Sequence, residues 1–258
     1  MISNNDFYLY KIIEKYKLPS IPDFNTFWHI EFPLRKEIEK WSNLNFLPLC
    51  QIKRSGSRAK GTAVSLSSDL DLFISLSSTT TPSLKNVYDS LFDYFDLRGY
   101  HPRRQNVSIG VNVCGNKVDL VPAVRQGQFG NDHSLYKSKQ KTWTKTNIDT
   151  HISTVKTSAR LYEIMALKIW RELHGIDFPS IYLELFTMKA LKGRKIGDWS
   201  TNFYYLLWFL YQNIERSCII DPANMNNRIS DDLTQAEKKK IANQACIDFA
   251  KPLSQIIW

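Results

Sequence analysis

The chain is short of the residues that mark metal-ribbon, secreted and membrane proteins. It has four cysteines in 258 residues, Cys50, Cys114, Cys218 and Cys246, and no two stand at CxxC spacing. That spacing argues against a zinc ribbon or finger, and four scattered thiols argue against a disulfide scaffold. The start of the chain has no basic region leading into an apolar core, so no secretory signal is expected. The most apolar run, Phe203–Tyr211, is too short to cross a bilayer and reads as a buried helix. Internal repeats and low-complexity linkers are absent. His133 and His151 lack metal-ligand spacing and receive no role. A reducing, cytoplasmic location is the expectation.

What is present is an ordinary globular composition. Hydrophobic residues make up 43% and aromatics 13%, enough for a real core. The net charge of +9 suits a polyanionic partner such as nucleic acid or nucleoside triphosphates, although charge alone does not separate these from a solvated basic surface.

The apolar periodicity divides the chain in two. Helices are expected over Asp6–Lys17 and Leu34–Leu44, and a strand over Phe46–Lys53. Ser55–Ser68 has the composition of a loop. A strand follows over Leu70–Leu76, then a helix capped by Thr81 with Pro82 at its first position and ended by Gly99. Val107–Val113 and Lys117–Val121 read as a hairpin around Gly115-Asn116. From Ala159 the pattern is helical, over Ala159–His174, Ile181–Leu191 and Thr201–Ile214. A last helix starts at the capping box of Thr234 and Glu237. The stretch between about residues 125 and 155 is polar and irregular. Two halves with a cleft between them are expected, one over residues 1–125 and one over 126–258.

The chemistry concentrates in Arg54–Leu76. Asp69 and Asp71 are two apart at a strand, so both carboxylates point to one side while Leu70, Leu72 and Ile74 point to the other. Adjacent acids repel, and a bound cation is the usual compensation; magnesium takes a few carboxylate oxygens together with phosphates. Upstream stand Gly56-Ser57 and Gly61-Thr62. Glycines let backbone N–H groups converge on phosphate oxygens, and Ser57 adds a hydroxyl donor. A third acid, Asp119, lies in the second hairpin strand between Val118 and Leu120. Three carboxylates from two strands can hold two magnesium ions, which activate a 3′-hydroxyl and stabilise leaving pyrophosphate.

The pattern of Gly-Ser, three residues, Gly-Thr, then Ser68–Leu72 and a later Val118–Ala123 strand resembles the DNA polymerase β nucleotidyltransferase superfamily. The resemblance implies an α+β fold: a palm of mixed sheet with helices, packed against a C-terminal helical half that binds nucleotide and product. It also implies that Gly56 and Ser57 hold the triphosphate, and that Asp69, Asp71 and Asp119 bind magnesium, with manganese as a substitute. Ala166–Gly175, Phe178–Phe186 and Ile219–Ile229 are similar to one branch, which contains the cGAS-like oligonucleotide synthases, the oligoadenylate synthetases and the archaeal-type CCA-adding enzymes. By that likeness Lys168 contacts the triphosphate, against the alternative of snorkelling to solvent. Ser180 and Tyr182 are candidates for holding phosphate and base, with core packing the other reading of Tyr182. Arg103, Arg104, Arg125, Lys137, Lys139, Lys141 and Lys145, interleaved with Tyr136 and Trp143, suit a single-stranded oligonucleotide or RNA, or an ordinary basic surface.

The expected activity is template-independent joining of (d)NTPs into short linear or cyclic oligonucleotides, as in an antiphage signalling synthase with an effector encoded nearby. No tRNA-gripping domain is seen beyond the last helix, which favours this reading over a terminal transferase acting on tRNA or other RNA. A catalytically silent binding module is the third alternative, and the presence of all three acids counts against it.

Overall fold

A computed structural model of the protein describes residues 3–67 and 69–258. Along the chain the elements are α1 (Asn4–Tyr16), a short α2 (Phe24–Thr26), a π-helical turn (Phe27–Glu31), α3 (Phe32–Leu44), β1 (Leu49–Arg54), α4 (Gly56–Lys60), β2 (Leu70–Leu76) and α5 (Leu84–Leu97). Then come β3 (Arg103–Arg104), β4 (Ile109–Val113), β5 (Asn116–Arg125), β6 (His133–Lys137), β7 (Thr142–Thr146), α6 (Ile148–Lys156), α7 (Leu161–Leu173) and α8 (Ser180–Ala190). The rest is α9 (Trp199–Asn213), β8 (Ile220–Asp221), β9 (Asn224–Arg228), a 3-10 turn (Ile229–Asp232), α10 (Gln235–Phe249) and a final 3-10 turn (Leu253–Gln255).

The chain forms two compact units, and neither is contiguous. One comprises Pro19–Ala59 and Asp69–Ile152; the other comprises Met1–Leu18, Lys60–Ser68 and Ser153–Trp258. The single boundary expected at residue 125 is therefore replaced by a chain that passes between the units several times. α1 belongs with the later helices because Leu9 and Ile13 are buried in their core.

The first unit is built on a mixed sheet of order β1-β2-β5-β4-β3, to which β6 and β7 are added at the end of β5. β2 and β5 run parallel, and the other pairs are antiparallel. On one face Leu70, Leu72, Ile74 and Leu76 pack with Val118 and Leu120 against α3 and α5, through Leu34, Ile38, Trp41, Val87, Leu91 and Phe95. On the other face Phe73, Ala123 and Leu135 pack against Ile148 at the start of α6. The period-2 alternation of β2 and β5 thus sends apolar residues to the α3/α5 side and leaves the acids on the other.

The second unit is helical. Trp170, Phe178, Tyr182, Phe186, Phe203 and Leu207 fill its core with α1 and α10. The capping box expected at Thr234 and Glu237 is present, with the Glu237 carboxylate accepting from the Thr234 N–H at 2.7 Å. No described helix is long and apolar enough to cross a membrane.

Local expectations were corrected at several points, among them the loop expected over Ser55–Ser68, which contains α4. The cap of α5 is Ser83, whose hydroxyl accepts from the Asn86 N–H at 3.1 Å, so Thr81 and Pro82 lie before the helix. The hairpin pairs Val113 with Asn116, which makes the turn Cys114-Gly115; both have positive φ, 49° and 78°. That is the handedness a two-residue hairpin needs. The polar stretch after residue 125 is not irregular: it forms β6 and β7.

Candidate active site

The site is assembled by strand register. Asp71 and Asp119 are direct partners across the parallel β2–β5 pair, so their side chains emerge next to each other on the face away from α3 and α5. Asp69 immediately precedes β2, and its charge together with burial raises the Asp119 carboxyl above the ordinary aspartate range, with burial the larger cause. Two neutral donors oppose that rise. Gln105 Nε2 donates to Asp119 Oδ1 at 2.8 Å, and Ser108 Oγ approaches Oδ2 at 3.3 Å while bonded to Gln105 Oε1 at 2.9 Å. Gly110 sits opposite Asp119 in β4, and a Cβ there would lie 2.7 Å from the Gln105 amide nitrogen. The glycine leaves room for the amide to reach the acid.

The loop before β2 leans on the second acid. The Ser55 N–H donates to the Asp71 carbonyl at 2.9 Å, and the next residue, Gly56, starts α4 with φ +61°. A Cβ on Gly56 would stand 1.8 Å from Asp71 Oδ2. Only glycine combines that backbone with that approach. Ser57 follows in the first turn of α4.

These residues fit a divalent cation. Asp71 and Asp119 offer hard oxygen donors from neighbouring strands, and Asp69 stands one residue before β2. Among the described residues no group of three or more His, Cys, Asp or Glu side chains is gathered as a ligand set by the protein alone. Magnesium suits such an arrangement, because it usually takes one or two carboxylates and completes its shell with water and substrate phosphate.

In the helical unit, Lys168 matches neither reading made for it, whereas Tyr182 follows the packing reading and Ser180 is exposed. Lys168 neither snorkels nor stands open to a ligand: it is 2% exposed, and its ammonium donates to Glu184 Oε1 at 2.7 Å and Thr62 Oγ1 at 2.9 Å. Lys60 donates to Glu184 Oε2 at 2.8 Å and Thr62 donates to Oε1 at 2.9 Å, so one fully buried carboxylate gathers both lysines and the threonine. Although burial opposes ionisation, the Lys168 and Lys60 charges hold the Glu184 carboxyl down at about 2. Tyr182 is core. Its ring is fully buried against the edges of Phe178 and Phe186, its hydroxyl has no hydrogen-bond partner, and burial pushes it up to about 12. No ring face is open to a base, so the packing reading of Tyr182 replaces the binding one. Ser180 is exposed at the first turn of α8 and accepts from Arg171 Nη1 at 3.0 Å.

The basic and aromatic residues of β6 and β7 do not form one patch. Arg125 pairs with His133, so Arg125, His133 and Lys137 share the face of Asp119. Tyr136 pairs with Trp143, and both stand with Lys145 on the α5 face, where Tyr136 meets Tyr88. Several of the charges are engaged. Arg125 donates to Ser75, Lys145 pairs with Asp132, and Arg104 pairs with Asp89 while lying 4.1 Å over Phe92.

No protein-family model matches the chain. A curated relative, the cyclic AMP-AMP-AMP synthase of Escherichia coli (strain MS 115-1), is 26% identical over 158 residues, covering 56% of this chain and 49% of that protein. The match thus spans about half the length of the relative. Among solved structures, CdnC of E. coli MS115-1 with ATP matches at TM-score 0.74 and 22% identity, over 97% of this chain and 94% of that one. The CD-NTase CdnG of Bradyrhizobium diazoefficiens in complex with GTP matches at 0.70 and 13%, over 95% and 92%. The CdnE cyclic dinucleotide synthase of Elizabethkingia meningoseptica with GTP and Apcpp matches at 0.67 and 16%, over 96% and 99%. The chain shares the α+β fold of these structures, as the acid motif leads one to expect.

Proposed function

We propose that this chain, folded as a polymerase β-like nucleotidyltransferase, joins nucleoside triphosphates into short oligonucleotides without a template, releasing pyrophosphate, and that its product is a cyclic signal in antiphage defence. The observation that carries the reading is the in-register pair of Asp71 and Asp119 beside a glycine that no other residue can replace without striking Asp71. That arrangement counts against a silent binding module. The name of the curated relative supports a cyclic product containing adenine. The nucleotides bound in the similar structures support triphosphates as substrates. We place the enzyme in the cytoplasm.

Asp69, Asp71 and Asp119 are the residues that would hold magnesium, two ions in this reading. Bound there, the metal supplies activation of the attacking 3′-hydroxyl and neutralises charge on the transferring phosphate. The chain's own residues do the positioning. Gly56 lets the backbone approach phosphate oxygens, and the Ser57 hydroxyl donates to them. Gln105 and Ser108 fix the orientation of the Asp119 carboxylate. Ser180 remains a candidate within the helical unit, where its hydroxyl accepts from Arg171. Lys168 serves by tying Thr62 to Glu184 rather than by direct contact.

The test is to incubate the purified protein with all NTPs and dNTPs and magnesium or manganese, with and without tRNA, and to identify products by mass spectrometry. Short oligonucleotides from free nucleotides, absent in Asp71→Asn and Asp119→Asn, are expected. Label entering only RNA 3′ ends would replace synthesis by RNA tailing.

A further inference from the structure

The segment carrying Gly56 and Ser57 begins at Arg54, the last residue of β1, and Arg54 is held by a carboxylate far from the motif. Arg54 Nε donates to Glu31 Oε2 at 2.7 Å, and Arg35 binds Glu31 Oε1 through Nε at 2.9 Å and Nη2 at 2.7 Å. Arg35 also donates through Nη1 to the Ile52 carbonyl of β1 at 2.7 Å. Glu31 is fully buried, whereas the arginine side chains are 26% and 27% exposed. The Arg54 guanidinium lies 5.8 Å over the Phe27 ring. Phe27 and Glu31 are the two ends of the π-helical turn that joins α2 to α3. Such turns are rare and recur at functional sites, because the extra residue redirects a side chain.

A buried carboxylate shared by two arginines is weak evidence for stability, since hydrophobic replacements of such triads are often neutral or stabilising. Its geometric effect is specific, however. Glu31 ties both Arg54 and the Ile52 carbonyl, through Arg35, to one helix, which fixes the height of the end of β1. One residue later Ser55 bonds the Asp71 backbone, and the next, Gly56, touches the Asp71 carboxylate. A displacement of Arg54 therefore passes within two residues to the phosphate loop and a metal-binding acid. Where the same segment leaves α4, Lys60 and Thr62 are tied in turn to buried Glu184.

We propose that Glu31 is a positioning residue for nucleotide binding, which acts through Arg54 and Arg35 to set Gly56 and Ser57 against Asp71. This inference rests on the nucleotidyltransferase reading. The test compares full-length wild type with Glu31→Gln and with the charge-free triple Glu31→Met/Arg35→Met/Arg54→Met. It measures NTP KM, kcat, magnesium half-saturation and melting temperature. The triple variant keeps the volume of the cluster without leaving a charge unpaired, so it is the form that stays folded if the single variant does not. A misplaced loop is expected to raise the NTP KM and the magnesium requirement roughly tenfold or more, with a smaller fall in kcat. The melting temperature of the triple should hold or rise. A purely structural role would move the melting temperature and leave KM alone. A folded triple variant with wild-type KM and magnesium dependence overturns this inference only. A wild type that neither binds nor converts nucleotides overturns the proposed function, and this inference with it.

Discussion

Gly56→Ala is the most direct perturbation of the site, because two separable costs act at one position. The first is backbone: φ is +61°, where a side chain costs about 1–2 kcal/mol. The second is contact: the new Cβ would stand 1.8 Å from Asp71 Oδ2 and 2.4 Å from its Cγ. The Asp71 carboxylate must retreat by at least about 1 Å to restore normal separation, and a misplacement of that size at a reacting centre costs on the order of 100-fold in rate. Gly99→Ala separates the two. Gly99 has φ +77°, but nothing lies within 4 Å of the Cβ it would gain. Both variants should lose a few degrees of melting temperature, at roughly 2–4 °C per kcal/mol for a chain of this size. Only Gly56→Ala should lose synthesis, by about 100-fold or more in initial rate at saturating NTP and magnesium. Nucleotide incorporation by Gly56→Ala within a few-fold of wild type would refute the argument that this glycine exists to accommodate Asp71.

Other outcomes follow from the burial of charge. Asp119→Asn should abolish nucleotide incorporation and raise the melting temperature of the metal-free protein at neutral pH, because burial and Asp69 both oppose a charge there. Glu184 is held at about 2, below its ordinary 4.5, so its stabilising contribution is fully present above pH 4.5 and is lost as pH falls toward 2. That contribution is a few kcal/mol in order of magnitude. Chemical denaturation between pH 6 and 3 should show this loss in wild type and a flatter profile in Glu184→Gln. Lys168→Met should lower stability first, by up to about 3–5 kcal/mol in urea melts, because it removes one partner from a buried ion pair. Unchanged stability with a raised NTP KM would return Lys168 to direct contact. Trp143→Ala should leave synthesis from free nucleotides unchanged, because Trp143 stands on the α5 face of the sheet, away from Asp119.

The site's acids were legible in the sequence because their geometry depends on local periodicity. β2 runs over Leu70–Leu76 as the alternation predicts, and the leucines that point into the core leave Asp71 on the opposite face. The capping box at Thr234 was equally readable, since its partners lie three residues apart. Local chemistry failed where two neighbouring solutions were nearly equivalent. Thr81-Pro82 and Ser83 both suit a helix start, and the chain uses Ser83. Cys114-Gly115 and Gly115-Asn116 both suit a hairpin, and pairing of Val113 with Asn116 selects the first. β6 and β7 are rich in Ser, Thr and Lys, so little apolar alternation marks them. Their strand character comes from pairing with each other and with the end of β5.

The buried carboxylates escaped notice for a different reason. A carboxylate's role depends on its partners, and here those partners are remote in sequence. Glu31 lies 23 residues from Arg54, and Glu184 lies 124 residues from Lys60. Glu31 and Glu184 each stand among apolar and aromatic neighbours, but the sequence does not show which partner each takes. The same holds for Lys168, where helical periodicity correctly placed a lysine on a mostly apolar face. That face forces a choice among solvent, ligand and internal counter-ion, and only the position of α8 decides it in favour of Glu184. The motif therefore reports the groups proposed to touch substrate, and tertiary structure reports what holds them. Gln105 joins the two cases. It stands close in sequence to Asp119, yet its reach to the acid depends on the missing side chain of Gly110 across the strand pair. A glycine in the middle of β4, unremarkable in the sequence, thus belongs to the site as much as the acid it faces.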